Sequence, residues 1–483
     1  MTASIEKLDP KSLWAQFYAY CQIPHCSKDE RAAGEYVISV AKKMGLEYQQ
    51  DSAGNIVVRK PGSPSKETAP VVVLQSHLDM VCEKNSATVH DFTKDPIRPV
   101  IENGWVTADG TSLGADNGIG VAAALALMES KNLVHGPLEL LFTTDEETGL
   151  NGANALQADF LKGRIMINMD SEEEGAFSIG CAGGGDSEIT LPIRREAVAE
   201  GTPLKVMLSG LRGGHSGIDI HKGRGNATQL LARMLYKLDV EYDLVRITGG
   251  TKHNAIPREA YAYIYVQDEK VNTLKEAMHK RFDEICFEYK AVEKEMKLEF
   301  SPPKNAIEDP MDHESKNNFL SLLVGLPHGV MAMSQEIKGL VESSNNLAIV
   351  TSQEADCMIY TSTRSSIGSA LEAVRSKIEA IASLANAPIQ HLEGYPAWTP
   401  NLESNLLNVC SDIYKKQSGR PPRVEAIHAG LECGIIGEKY PGMDMISVGP
   451  DLENPHSPDE RVGIDSVNRF WIFIVDVLET LAA

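Results

Sequence analysis

Two histidines and a set of carboxylates in this chain fall where a fold can gather them. His77 and Asp79 stand two residues apart in LQSHLDMV, directly after the apolar run PVVVL. Asp116 lies in the glycine-rich LGADNGIG, Glu146 and Glu147 follow LELLFTT, Asp170 closes IMINMD, and His456 sits in NPHSPDE. Singly each is commonplace, since a histidine in a turn is ordinarily a surface residue and paired acids are ordinarily solvated. Repeated placement at the ends of apolar runs is less easily accidental. Two imidazoles with three or four carboxylates suit a borderline or hard divalent ion such as Zn, Mn or Co, not a soft all-thiolate site. One carboxylate bridging two such ions, with a further acid left uncoordinated, makes a hydrolytic two-metal site.

The elements that must position these residues read as an α/β pattern. NIVVRK, VVVLQSH, LELLFTT, RIMINMD and MDMISVG are strands by their apolar runs, and SKDERAAGEYVISVAKKMG and GIGVAAALALMES are helices. Strands apolar throughout and separated by helices belong to a sheet covered on both faces, with binding groups at the strand ends. From about Asp186 the texture changes to the open alternation of LKVMLSG and REAYAYIYVQ, a long helix over NTLKEAMHKRFDEICFEYKAVEKEM, and a second round of helix, two strands and helix up to IGSALEAVRSKIEAIASLA. The expected organisation is a discontinuous α/β domain, residues 1–185 and 399–483, carrying an inserted α+β domain of two units at 186–398.

The bulk numbers fit that division. The 483 residues allow two or three domains, and 42% hydrophobic with 23% charged residues describes an ordinary globular protein. A net charge of -21 argues against nucleic acid or an anionic membrane surface as partner. The first residues do not read as a secretory signal, and no apolar run reaches the ~20 residues a membrane span requires. Eight cysteines without motif spacing are expected as reduced thiols, hence a cytoplasmic protein.

SHLDMV, GADNGIG, TTDEETG, NMDSEEEG, GGHSG and PHSPDE, in this order, resemble the dinuclear-metal peptidases of the M20 family. The likeness runs end to end, and IPHCS, TVHDFTKDPI, KHNAIPREA and HAGLECG draw it towards the family's aminoacyl-histidine (Xaa-His) dipeptidase branch. The resemblance implies a mixed-sheet, zinc-peptidase-like catalytic domain with an inserted lid of ferredoxin-like units. It implies His77 and Asp170 on one ion, Glu147 and His456 on the other, Asp116 bridging through a cis Asp116-Asn117 peptide, and Glu146 as general base to a metal-activated water. Asp79 would then orient the His77 ring, as metal-bound histidines commonly need.

In the inserted domain the resemblance makes His215 of GGHSG a donor to the scissile carbonyl oxygen, Asn254 a substrate contact, and Arg364 a clamp for the substrate's C-terminal carboxylate. Glu432 would answer the free amine, with His428 on the same wall. Whether His215 acts within its own chain or across a homodimer, which the family implies, is left open by the sequence. The expected activity is hydrolysis of unmodified dipeptides, Xaa-His included, using two divalent ions, zinc foremost. The alternatives are an acyl-amino-acid amidohydrolase or carboxypeptidase of the same fold, and a non-catalytic metal- or peptide-binding protein. Against the last stands Glu146, an acid beside Glu147 that a pure binding site does not need.

Overall fold

Strand runs that are apolar on both sides must be covered on both sides, and the architecture follows from that. The computed structural model describes residues 4–197 and 201–483. The chain divides into two compact units: Met1–Cys181 with Trp398–Ala426 and Leu431–Ala483, and Ala182–Ala397 with Ile427–Gly430.

In the first unit, four strands form the parallel centre of a mixed sheet: β1 (Val72–His77), β2 (Leu138–Thr143), β3 (Ile165–Asn168) and β4 (Asp444–Ser447). Their spatial order is β2-β1-β3-β4, with antiparallel neighbours outside them. Side chains alternate across the sheet. Val72, Leu74, Leu140 and Phe142 join one buried cluster, and Val73, Leu141, Met166 and Met445 join another. Helix α1 (Ala115–Glu129) is buried along nearly its whole length in the first cluster. It starts at the Asp116-Asn117 peptide, which is cis.

The second unit is an antiparallel sheet. Its order is Lys297–Ser301, Thr202–Ser209, Ala260–Val266, Asp243–Gly249, Val341–Ser352, Asp356–Ser365, Gly183–Pro192, Ile389–His391. The two α+β halves meet where Gly249 pairs with Val350. Helices Ala227–Leu235, Val271–Glu288, His313–Gly325 and Gly368–Leu384 supply apolar faces to one core with the sheet. The helix predicted through Met296 stops at Glu288. Beyond it the chain turns to bury Glu293, whose carboxylate accepts the Arg212 and Gly225 N–H groups at 2.8 and 3.0 Å.

One expectation is corrected. Cys26 and Cys82 form a disulfide, with Cα atoms 5.7 Å apart, within the normal span for such a bond. The partners lie 56 residues apart in sequence, beside the bridge between Cys26 and Met80. The other six cysteines are free, so the expectation of reduced thiols fails for this pair alone. Among the described residues no helix is long and apolar enough to cross a membrane.

Candidate active site

The C-terminal ends of β1, β2 and β3 deliver the first group of side chains. His77 is the last residue of β1 and pairs in register with Thr143, the last of β2; Glu146 and Glu147 follow on the next turn. Asp170 lies just past β3, and Asp116 opens α1. His456 sits in a turn after β4, in the left-handed region at φ 58°.

Asp116 divides its two oxygens between the two imidazoles. Oδ1 is 3.1 Å from His77 Nε2 and Oδ2 is 3.1 Å from His456 Nε2. Asp170 Oδ1 lies 3.3 Å from His77 Nε2, and Glu147 Oε1 lies 3.0 Å from His456 Nε2. Within each of the sets His77-Asp116-Asp170, Asp116-Glu147-His456 and His77-Glu146-Glu147, one donor atom per residue lies within 4.8 Å of the others.

These donors fit divalent cations. Nδ1 of His77 faces the Asp79 backbone carbonyl at 3.1 Å and its carboxylate at 3.4 Å. A neutral ring donating there turns an Nε2 lone pair onto two carboxylate oxygens, which repel it unless positive charge lies between them. Tetrahedral sites with bonds of ~2.0–2.1 Å keep their ligand atoms about 3.3 Å apart, and the four pairs here lie at 3.0 to 3.3 Å.

The electrostatics show the same demand for positive charge. Burial would lower the His77 pKa, but Asp170, Asp116 and Asp79 overcome it and hold the ring well above its ordinary value. Hydrogen bonds to Asp116 and Glu147 raise His456 to about 11. Burial, with the Asp116 and Glu147 charges, lifts Asp170 to about 6. Burial also pushes Glu146 well above the carboxylate range, with Asp170, Glu432 and Glu147 adding to it. Proton and metal compete for such a site.

Asp79 has a wider task than the orienting of His77. Its oxygens accept the N–H groups of Glu146 and Glu147 at 3.0 and 3.2 Å. Burial opposes its ionisation, yet the His77 ring, the Glu146 N–H and the Ser27 hydroxyl hold it at about 2. Glu432 is 1% exposed and accepts from Gln75 Nε2 at 2.5 Å and Thr143 Oγ1 at 2.8 Å. Burial lifts it to about 7. Gln75 and Asn168 escaped the sequence reading because they sit inside apolar strand patterns. Glu460 escaped it too, although it lies four residues beyond His456.

The inserted unit holds the remaining candidates. Gly214–His215 pairs with Ala255–Ile256, which places His215 beside exposed Asn254. Nδ1 of His215 accepts the Gly217 and Ile218 N–H groups, each at 3.1 Å, so its proton resides on Nε2. A side chain at position 217 would strike the ring and the His428 carbonyl, hence glycine there. Burial and the Arg364 charge lower the His215 pKa. Arg364 donates through Nη1 to Tyr395 Oη at 2.6 Å; among the described residues its Nε has no hydrogen-bond partner and no ion pair holds it. His428 packs against Ser344 Oγ at 2.7 Å, and burial, then Arg364, lowers it to about 3.

Residues 73–480 match peptidase family M20/M25/M40, and the chain belongs to that family. It is 43% identical to the cytosol non-specific dipeptidase of Escherichia coli (strain K12) over 484 aligned residues, covering 100% of both chains. It is similar to the crystal structure of aminoacylhistidine dipeptidase from Vibrio alginolyticus, with a TM-score of 0.93, 42% identity, and 99% and 98% of the two chains covered. Aminopeptidase PepT from Bacillus cereus shares the fold at a TM-score of 0.58 and 16% identity, with 99% and 100% covered.

Proposed function

We propose that this chain is a metal-dependent dipeptidase that hydrolyses unmodified dipeptides, Xaa-His among them. The observation that carries the reading is Asp116, whose separate oxygens face His77 and His456 at 3.1 Å each, with the further acid Glu146 alongside. The two dipeptidase relatives support the choice of substrate class.

Asp170 and His77 would hold one divalent ion, Glu147 and His456 the second, and Asp116 both; zinc suits the mixed N/O donors, with manganese or cobalt next. Ions held there would supply Lewis acidity to the peptide carbonyl and to the attacking water. Glu146 takes the proton from that water and passes it to the leaving amine, a task suited to a carboxyl whose proton affinity burial has raised. His215 offers a neutral Nε2–H to the carbonyl oxygen as charge develops, Asn254 contributes a polar contact, and Arg364 takes the substrate's carboxylate. A cytoplasmic location and a homodimer complete the proposal, the first supported by the cytosolic designation of the Escherichia coli relative.

The test is a panel of Xaa-His and other dipeptides, tripeptides and N-acetyl amino acids. Each is assayed on protein stripped by chelator and then refilled with zinc, manganese or cobalt. Dipeptide cleavage that vanishes on stripping and returns on refilling is expected. Preference for N-acetyl amino acids favours the amidohydrolase reading, and no hydrolysis with any ion defeats the proposal.

A further inference from the structure

Four consecutive backbone N–H groups converge on one buried side chain. Glu460 Oε2 accepts from Leu113 at 2.7 Å and Gly114 at 2.9 Å, while Oε1 accepts from Ala115 at 2.7 Å and Asp116 at 3.2 Å. Gly114 adopts φ 70°, and such left-handed turns aim successive N–H groups into one concave nest that suits an anion. Glu460 is 2% exposed and is itself anchored: its carbonyl accepts from Thr107 Oγ1 at 2.9 Å, and the next residue, Arg461, pairs with Thr107 in a small antiparallel sheet.

The same short segment carries His456. Residues 456–460 thus present a ring to Asp116 Oδ2 and a carboxylate to the backbone from which Asp116 projects. We infer that Glu460 is a positioning residue that sets Asp116 between the two imidazoles before any cation arrives. The inference rests on the metallopeptidase reading above. Glutamine at 460 keeps one oxygen acceptor and turns an amide NH2 towards two N–H groups, so the nest loses half its acceptors and the loop slackens. Asp116 faces both imidazoles, so the slackening weakens both cation positions, whereas loss of His456 weakens one.

The experiment is zinc binding to metal-stripped full-length protein by competition with a chromophoric chelator, for wild type, E460Q and H456A, with circular dichroism as the check on folding. Expected are two zinc ions in wild type, an affinity loss of about 10- to 100-fold at both positions in E460Q, and a loss concentrated at one position in H456A. A folded E460Q whose two affinities match wild type overturns the inference while leaving the metallopeptidase reading intact. No zinc binding by wild type sinks that reading and this inference together. Should E460Q fail to fold, hydrogen exchange on metal-stripped wild type decides. Protection of amides 113–116 is expected, and exchange at the rate of an open loop overturns the proposal.

Discussion

Asp79→Asn changes one oxygen to an amide nitrogen in a place where the partners are donors. The carboxylate takes the N–H groups of Glu146 and Glu147 and lies 3.4 Å from His77 Nδ1, at 1% exposure. Asparagine can serve one N–H with its oxygen; its NH2 then confronts the other. A buried N–H left without an acceptor costs about 1–3 kcal/mol. If that cost is relieved by a shift of the Glu146-Glu147 turn, the base moves and the loss falls on turnover. At ~1.4 kcal/mol per tenfold, the same 1–3 kcal/mol is about 5- to 150-fold in kcat. The assay is kcat on an unmodified dipeptide at saturating divalent ion, beside a thermal melt. A folded Asp79→Asn variant within about twofold of wild-type kcat, well inside the 5-fold floor, would refute the bracket as a positioning device.

Glu146→Gln keeps shape and removes the proton acceptor, so kcat should fall by about two to four orders of magnitude with metal content unchanged; retained turnover removes Glu146 from the chemistry. Arg364→Ala should raise KM for free dipeptides and leave C-amidated ones alone, with lysine a poor substitute for the bidentate fork; equal effects on both substrates count against the clamp. His25 is 2% exposed, and burial lowers it from 6.5 to about 4. Between those values the unfolded chain binds the extra proton, so the contribution of this ring is level above pH 6.5 and removes up to about 3 kcal/mol of stability as pH drops to 4. His25→Gln should flatten that part of a denaturant-midpoint series against pH, and an unchanged slope would assign the acid sensitivity elsewhere.

The parallel strands and the candidate ligands were legible because each announces itself locally. An apolar run ends, and a histidine or acid follows. The residues that brace those candidates carry no such mark. Glu460 reads as one more acid in NPHSPDE, yet its partners are backbone groups more than 340 residues away in sequence. Gln75 and Asn168 interrupt strands that otherwise read as plain core. Cys26 and Cys82 lie 56 residues apart, and the Cys26–Met80 bridge beside their disulfide is equally long-range. What sequence spacing carries is the chemistry of single sites, whereas long-range pairing decides which of those sites are braced.

Those unannounced polar residues bear on how the site is assembled at all. β1 is apolar towards both faces, so the hydrophobic pattern of Val72, Val73 and Leu74 scarcely penalises a slip of one residue. Yet such a slip would send His77 to the opposite face of the sheet. The buried side-chain bonds do penalise it. Asn168 Nδ2 donates to Gln75 Oε1 at 2.5 Å, and Gln75 Nε2 reaches Thr143 Oγ1 at 3.1 Å and Glu432 Oε2 at 2.5 Å. In the observed register Gln75 lies opposite Asn168 and His77 opposite Thr143; displaced by one, these buried groups would be left unpaired at about 1–3 kcal/mol each. The network beneath the strand ends therefore fixes which face β1 gives to His77, and through it the distance from that imidazole to Asp116 and Asp170.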